Sequence, residues 1–314
     1  MSEPHKTNTQ KQNHQMKRII AVCLLAAAFA AFPVLVSAQP SAHYVPGVEG
    51  IKGSSLPPPG VYFRDYNVFY FADRLNDPSG DEIKEADAQA FIYANVPRVI
   101  WITDQKLLGG FLGVDALLPL KYTSLEANTP GGPFDESTFG IGDLFAEATL
   151  SWHVKQADFA FGYGVWAPTG DFSETNPTRA GSGFWTHMLT AAGTWYPDQE
   201  KKWAVSALSR YEINHEQEDT DITPGQAYTL EWGASYAVSK TVDLGLVGYW
   251  QLQTTKDSGT DASDETDQVV GIGPEVSAIC TKTGIIFSLR YLYEVIAEDR
   301  LQGHTGCFTL TKRY

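Results

Sequence analysis

The sequence predicts an all-β protein, a transmembrane antiparallel up-and-down β-barrel of about twelve strands, and three observations carry that prediction. From Val61 onward the chain divides into stretches of about 10 to 16 residues, many alternating apolar and polar with period 2. The connections between stretches are alternately short and long, which is how outer-membrane barrels sort periplasmic turns from extracellular loops. No segment after residue 38 has 18 consecutive apolar residues, so helical membrane spans are excluded.

Residues 1–38 read as an export signal that precedes the working protein. A polar start ending in Lys17-Arg18 enters the apolar run Ile19 to Val36, followed by the small-residue site Val36-Ser37-Ala38. The competing reading is a retained anchor, since that run has 18 residues, but Pro33 interrupts it. Loss of this segment removes Lys6, Lys11, Lys17, Arg18 and Glu3, leaving 19 basic against 36 acidic residues and a charge of −17. So acidic a surface disfavours nucleic acid as a partner.

Residues 39–60 follow as a periplasmic or lumenal segment without strand. Pro40, Pro46, Pro57, Pro58 and Pro59, with Gly47, Gly50, Gly53 and Gly60, cannot support a ladder.

The barrel occupies residues 61–314. Its twelve stretches run Val61 to Phe71, Ala88 to Thr103, Leu107 to Lys121, Phe139 to Val154, Asp158 to Ala167 and Phe184 to Tyr196, then Trp203 to His215, Ala227 to Val238, Thr241 to Thr254, Asp267 to Thr281, Gly284 to Ala297 and Leu301 to Tyr314. Short turns are expected at Asp104 to Lys106, Lys155 to Ala157, Pro197 to Lys202, Ser239-Lys240 and Thr281 to Thr283. Long polar loops are expected at Ala72 to Asp87, Tyr122 to Thr138, Pro168 to Gly183, Glu216 to Gln226 and Thr255 to Thr266. Pro97, Pro119 and Pro274 fall inside stretches and require bulges or rim positions.

Where alternation is clean, the two faces separate. Val242, Leu244, Leu246, Trp250 and Leu252 oppose Asp243, Tyr249, Gln251 and Gln253, and Phe287, Leu289, Tyr291 and Tyr293 oppose Ser288, Arg290 and Glu294. Charge on a lipid face is costly at mid-depth, so the polar set belongs inside. The candidates to line the lumen or bind substrate are Asp115, Asp143, Glu147, Arg210, Glu212, Glu231, Asp243, Gln251, Gln253, Glu275, Arg290 and Glu294. Pairing of Arg210 and Arg290 with neighbouring carboxylates is the alternative to substrate contact. Trp152, Trp195, Trp203, Trp232, Trp250 and Tyr236 read as interfacial girdle. The chain ends on an alternating strand with terminal Tyr314, the form that barrel-assembly machinery reads by strand addition.

Several motifs together resemble the meta-pathway of phenol degradation family of outer-membrane proteins. They are Leu56 to Tyr62 (LPPPGVY), Gly140 to Leu144 (GIGDL), Pro168 to Phe172 (PTGDF), Tyr211 to Asn214 (YEIN), Asp221 to Gly225 (DITPG) and Ile272 to Glu275 (IGPE). The resemblance implies a channel or transporter in the outer membrane of a Gram-negative bacterium, taking up small apolar or aromatic compounds. A structural or adhesive barrel with a blocked lumen is the alternative.

No chemistry is legible in the chain. Asp143, Glu147, Ser151 and His153 share one strand face, but residues two apart are separated by about 6.6 Å of backbone, too far for a base to reach a hydroxyl. The histidines and cysteines are not spaced as metal ligands, and no cofactor is expected. Cys280 and Cys307 lie on strands separated by another, so they are not expected to pair. Acidic residues crowd three outer loops, as a solvated repulsive surface or, alternatively, as calcium ligands.

Overall fold

The structure, a computed structural model, describes residues 42–129, 131–260 and 262–314. The export signal expected over residues 1–38 lies outside the described residues.

Period-2 alternation builds strand segments β1 (Gly60–Leu75), β2 (Gln89–Leu107), β3 (Gly110–Leu117), β4 (Leu120–Thr129), β5 (Gly132–Ile141), β6 (Leu144–Val154) and β7 (Ala157–Ala167). They continue with β8 (Thr186–Trp195), β9 (Trp203–Asn214), β10 (Ala227–Ala237), β11 (Val242–Gln253), β12 (Gln268–Cys280), β13 (Ile285–Glu298) and β14 (Leu301–Arg313). All pair antiparallel, and β1 bonds both β2 and β14, so the sheet closes on itself without a free edge there. Because β2 runs past both β3 and β4, while β6 pairs with β3 and β5 with β4, these four segments fill only two wall positions. The wall is a closed barrel of twelve positions, as the alternating loop lengths predict.

Prolines explain the two interruptions. Pro119 has no N–H to give the ladder, and Leu118-Pro119 separates β3 from β4, with Leu118 N donating to Pro97 O at 3.3 Å. Gly142-Asp143 separates β5 from β6 alongside, where Gly142 N donates to Pro119 O at 2.8 Å. Pro274 sits in β12, where the pairing with β13 skips from Ile272–Tyr293 to Glu275–Arg290.

Three expectations are corrected. The long loop expected at Tyr122 to Thr138 is instead a hairpin, with β4 and β5 paired from Leu120–Ile141 to Thr129–Gly132. Its exposed Glu126, Asn128, Asp135 and Glu136 lack an apolar face, so the alternation that marks a lipid-facing strand is missing. The turn expected at Asp104 to Lys106 lies further on, at Leu108-Gly109, because β2 continues to Leu107 after a register shift between Ile102 and Lys106. β1 likewise persists to Leu75, four residues beyond its expected end, since Asp73 and Arg74 hide its continuation.

Alternate residues face lipid and lumen. On β13, Leu289 is 57% exposed while Leu292 is fully buried, and on β11, Leu246 is 46% exposed against 1% for Tyr249. Trp101, Trp195, Trp203 and Tyr236 are exposed near the short-turn end, the periplasmic side in barrels of this class. There Asp198 accepts backbone N–H bonds from Trp203 and Lys202, at 2.8 Å each, and these hold its carboxyl below the usual range.

Candidate functional site

Residues 42–59 form no strand and lie inside the barrel. Prolines and glycines deny this segment a ladder, yet its backbone polar groups are buried and must be satisfied. Wall side chains do it. Glu212 accepts from the N–H groups of His43 and Tyr44 at 3.1 Å each, Glu231 from Glu49 N at 3.1 Å, and Glu275 from Ile51 N at 2.8 Å. In the opposite sense Gln251 donates to Tyr44 O at 2.8 Å and Arg290 to Gly47 O at 3.0 Å. The carboxylates and amide take the place of a neighbouring strand.

One end of the segment is anchored near the periplasmic turns. Ser55 Oγ donates to Asp158 at 2.8 Å, Lys52 meets Asp243 at 2.8 Å, and Ser54 donates to Ala207 O. The other end reaches the outer rim. His43 contacts Asp143 at 3.1 Å and Thr186 at 2.8 Å, stacks on Trp166 with centroids 5.4 Å apart, and meets Phe184 edge-on at 4.5 Å. Asp143 can reach inward because it stands in the break between β5 and β6, where Gly170 N and Ser182 N also donate to it.

Glu49 is the central tie. Its carboxylate receives Arg98 at 2.7 Å, Arg64 at 3.0 Å, Arg210 at 3.5 Å and the Tyr66 hydroxyl at 3.2 Å. Arg98 also donates from Nε to Asp115 at 2.7 Å and faces Glu147 at 3.6 Å. Below Glu49 the ring of Tyr44 lies 4.0 Å under the Arg210 guanidinium, and its hydroxyl bonds Glu231. Apolar contacts complete the fit: Tyr44 packs with Phe145, Trp166 and Met188, and Ile51 with Val247, Tyr249 and Leu292.

Of the twelve lumen candidates, eleven are buried and Asp243 is partly exposed. The structure brings Asp143, Arg210, Glu212, Glu231, Asp243, Gln251, Glu275 and Arg290 directly onto the segment. Asp115 and Glu147 join it through Arg98. Gln253 bonds Asp257 and Asp267 near the outer loops, and Glu294 bonds Tyr70, Tyr249 and Gly303, so neither touches it. Sequence reasoning missed Arg64, Arg98, His43, Tyr44 and Glu49. A signal existed for two of them: Glu49 is the one carboxylate in Gln39 to Gly60, and Arg98 is a lone charge between Val96 and Ile100.

Near Asp143 and Glu147, Ser151 Oγ is buried without a hydrogen-bond partner, and His153 is taken by Asp158 at 2.9 Å. Among the described residues no group of three or more His, Cys, Asp or Glu is arranged to hold a metal ion.

A family model described as "Putative MetA-pathway of phenol degradation" matches residues 72–310. The chain belongs to this family. The match starts near the outer end of β1, so the lumenal segment precedes it. Among solved structures, the COG4313 outer membrane channel from Pseudomonas putida F1 is similar at a TM-score of 0.71 and 15% identity, covering 87% of this chain and 100% of that one. At that identity the likeness establishes a shared barrel fold. The β domain of the Bordetella autotransporter BrkA, at TM-score 0.48 and 13% identity, covers 81% of this chain and 99% of its own. A comparison with curated protein sequences returns no match.

Proposed function

We propose that this family member is an outer-membrane channel for uptake of small apolar or aromatic solutes, with residues 42–59 as its lumenal gate. The observation that carries the reading is the chemistry of the segment's attachment. It is held in the lumen by hydrogen bonds, ion pairs and ring contacts to wall side chains, without a ladder and, among the described residues, without a covalent cross-link, so it can swing out from Gly60 while the twelve wall positions stay closed. The similar solved structure from Pseudomonas putida is an outer membrane channel, which supports conduction, and the phenol-degradation family supports aromatic solutes. The rings of Tyr44, Phe145 and Trp166 on the path suit such solutes. Export across the inner membrane by residues 1–38, and insertion in a Gram-negative outer membrane with its lipids, belong to the same proposal. So does recognition of β14 by barrel-assembly machinery.

The filled lumen also keeps the second reading, a structural or adhesive barrel whose segment never leaves. Conductance of the purified protein in a planar bilayer separates the two, because a permanently blocked scaffold passes no current. Growth of a deletion strain on a panel of aromatic and fatty carbon sources then tests the solute class. Unimpaired growth on every aromatic source overturns it.

A further inference from the structure

The lipid-facing set on β1 is Val61, Phe63, Asp65, Asn67, Phe69 and Phe71, as the exposure of Val61, Phe63, Phe69 and Phe71 and the burial of Tyr62, Tyr66, Val68 and Ala72 show. Asp65 and Asn67 are the middle pair of that row. On β2 the matching outward residues are Phe91, Tyr93, Asn95, Pro97, Val99 and Trp101, with Asn67 directly opposite Asn95 and Asp65 opposite Pro97. A carboxylate and two amides therefore stand at mid-height on the outer wall. Phe69, Phe71 and Phe91 flank them on the outer side, and Val61, Phe63, Val99 and Trp101 on the periplasmic side.

These groups bond one another. Asn67 Nδ2 and Asn95 Nδ2 both donate to Asp65 at 2.9 Å, and the Tyr93 hydroxyl donates to Asn67 Oδ1 at 2.8 Å. Hydrocarbon offers nothing to the remaining capacity: the second N–H of Asn67, the Asn95 carbonyl oxygen and the free lone pairs of Asp65. All three side chains are only partly covered by the barrel itself.

We propose that this patch is the centre of an interface with a second copy of the chain in the plane of the membrane. Two arguments select a second copy. Any partner must present hydrogen-bonding groups at the same depth in hydrocarbon, and a two-fold axis along the membrane normal brings patch to patch at equal depth automatically. An isologous contact must also be self-complementary, and this patch carries an acceptor-only carboxylate beside amide donors, so Asp65 of each copy meets an asparagine of the other. In a bilayer, such polar contacts hold proteins together where apolar packing gains nothing over lipid. The proposal is independent of conduction and of the lumenal segment.

The test uses the full chain with Cys280→Ser, leaving the buried Cys307 in place, and Phe69→Cys as a probe beside the patch. Oxidation in native outer-membrane vesicles should give a disulfide-linked dimer of the chain, while Leu246→Cys, on the lipid face of β11, should give monomer. Adding Asp65→Leu with Asn95→Leu should raise the dimer dissociation constant at least about tenfold, read by sedimentation in density-matched micelles. Heat-modifiable gel mobility checks folding, and Asn95→Leu alone serves if the double variant fails to fold. Monomer from the Phe69→Cys probe, dimer undiminished without the patch, or cross-linking of the probe to a different protein each overturn the proposal.

Discussion

Arg98 and Glu49 meet at 2.7 Å inside the barrel, and the same guanidinium bonds Asp115 at 2.7 Å, so one wall residue ties the lumenal segment to β3. Both partners are almost wholly withdrawn from water, with side-chain exposures of 6% and 5%. Arg64 and Arg210 converge on the same carboxylate. Three cations gathered around one anion make Glu49 the counterion that allows them to coexist, as well as the anchor of the segment.

Replacing Glu49 with Gln should therefore do more than remove one contact. Breaking a buried ion pair from one side costs about 3–5 kcal/mol, because the remaining charges are left uncompensated. That energy falls on the segment, which can relieve it by withdrawing and admitting water to Arg64, Arg98 and Arg210. The expected outcome is a barrel that still shows heat-modifiable mobility and spends longer in a high-conductance state. Conductance equal to wild type, with folding intact, would show that Glu49 does not hold the segment.

Gly50 provides a steric version of the same test. Its φ of +71° is in the left-handed region, and a Cβ would lie 2.2 Å from Glu275 Oε2 and 2.7 Å from Arg290 Cζ. Gly50→Ala thus adds about 1–3 kcal/mol of backbone strain to a clash with a buried ion pair. The strand ladder of the wall is untouched by this change, since Gly50 belongs to no strand. Single-channel recordings should show a high-conductance state, and a crystal structure of the variant should show residues 42–55 displaced from the lumen.

The barrel was legible in the sequence wherever lipid and water impose opposite demands on alternate residues. β11 and β13 show it, because Leu246 and Leu289 face hydrocarbon while Gln251 and Arg290 face the lumen. β4 and β5 were not legible, because their outer halves have no lipid to face. The lumen side chains could be named from strand faces, and residues 39–60 as a strandless periplasmic or lumenal segment, but not the contacts that join the two. Residues 42–59 have no period, and their position depends on carboxylates at Glu212, Glu231 and Glu275, which come from three separate strands. The polar trio on the outer wall was missed for a related reason: β1 alternates poorly once Asp65 and Asn67 occupy lipid-facing positions.

The two cysteines of the barrel should titrate separately. Both are free; Cys307 is fully buried opposite Val68, while Cys280 is partly exposed at the periplasmic end of β12. A thiol reagent added to the folded protein should label Cys280 quickly and Cys307 only after denaturation. Absence of any free thiol in the unfolded, unreduced protein would contradict this.

β14 pairs with β1 from Tyr62–Arg313 to Leu75–Leu301 and with β13 from Ile286–Thr311 to Tyr293–His304. Removing Phe308 to Tyr314 opens both neighbours to hydrocarbon, where each unpaired backbone group costs several kcal/mol. The variant should fail to insert, read as loss of heat-modifiable mobility in outer-membrane fractions, and its survival would show that the remaining ladder suffices.

Truncating residues 39–55 removes Glu49 from the lumen along with every backbone N–H that Glu212, Glu231 and Glu275 accept from the segment. Arg210 loses both of its contacts, Glu49 and the Tyr44 ring, but two other arginines keep partners on the wall. Arg98 keeps Asp115 and Glu147, and Arg290 keeps Glu275. Glu212 and Glu231, by contrast, would face the opened water column alongside Asp143 and Asp243, which lose His43 and Lys52. The exposed field is then negative, and a narrow lumen with low-dielectric walls concentrates cations. The truncated protein should fold, conduct more than the full chain, and show a reversal potential of cation-selective sign under a salt gradient. Higher conductance with anion selectivity would mean that Arg64, Arg98 and Arg210 dominate the opened lumen. Unchanged conductance would mean that residues 42–55 are not what closes it.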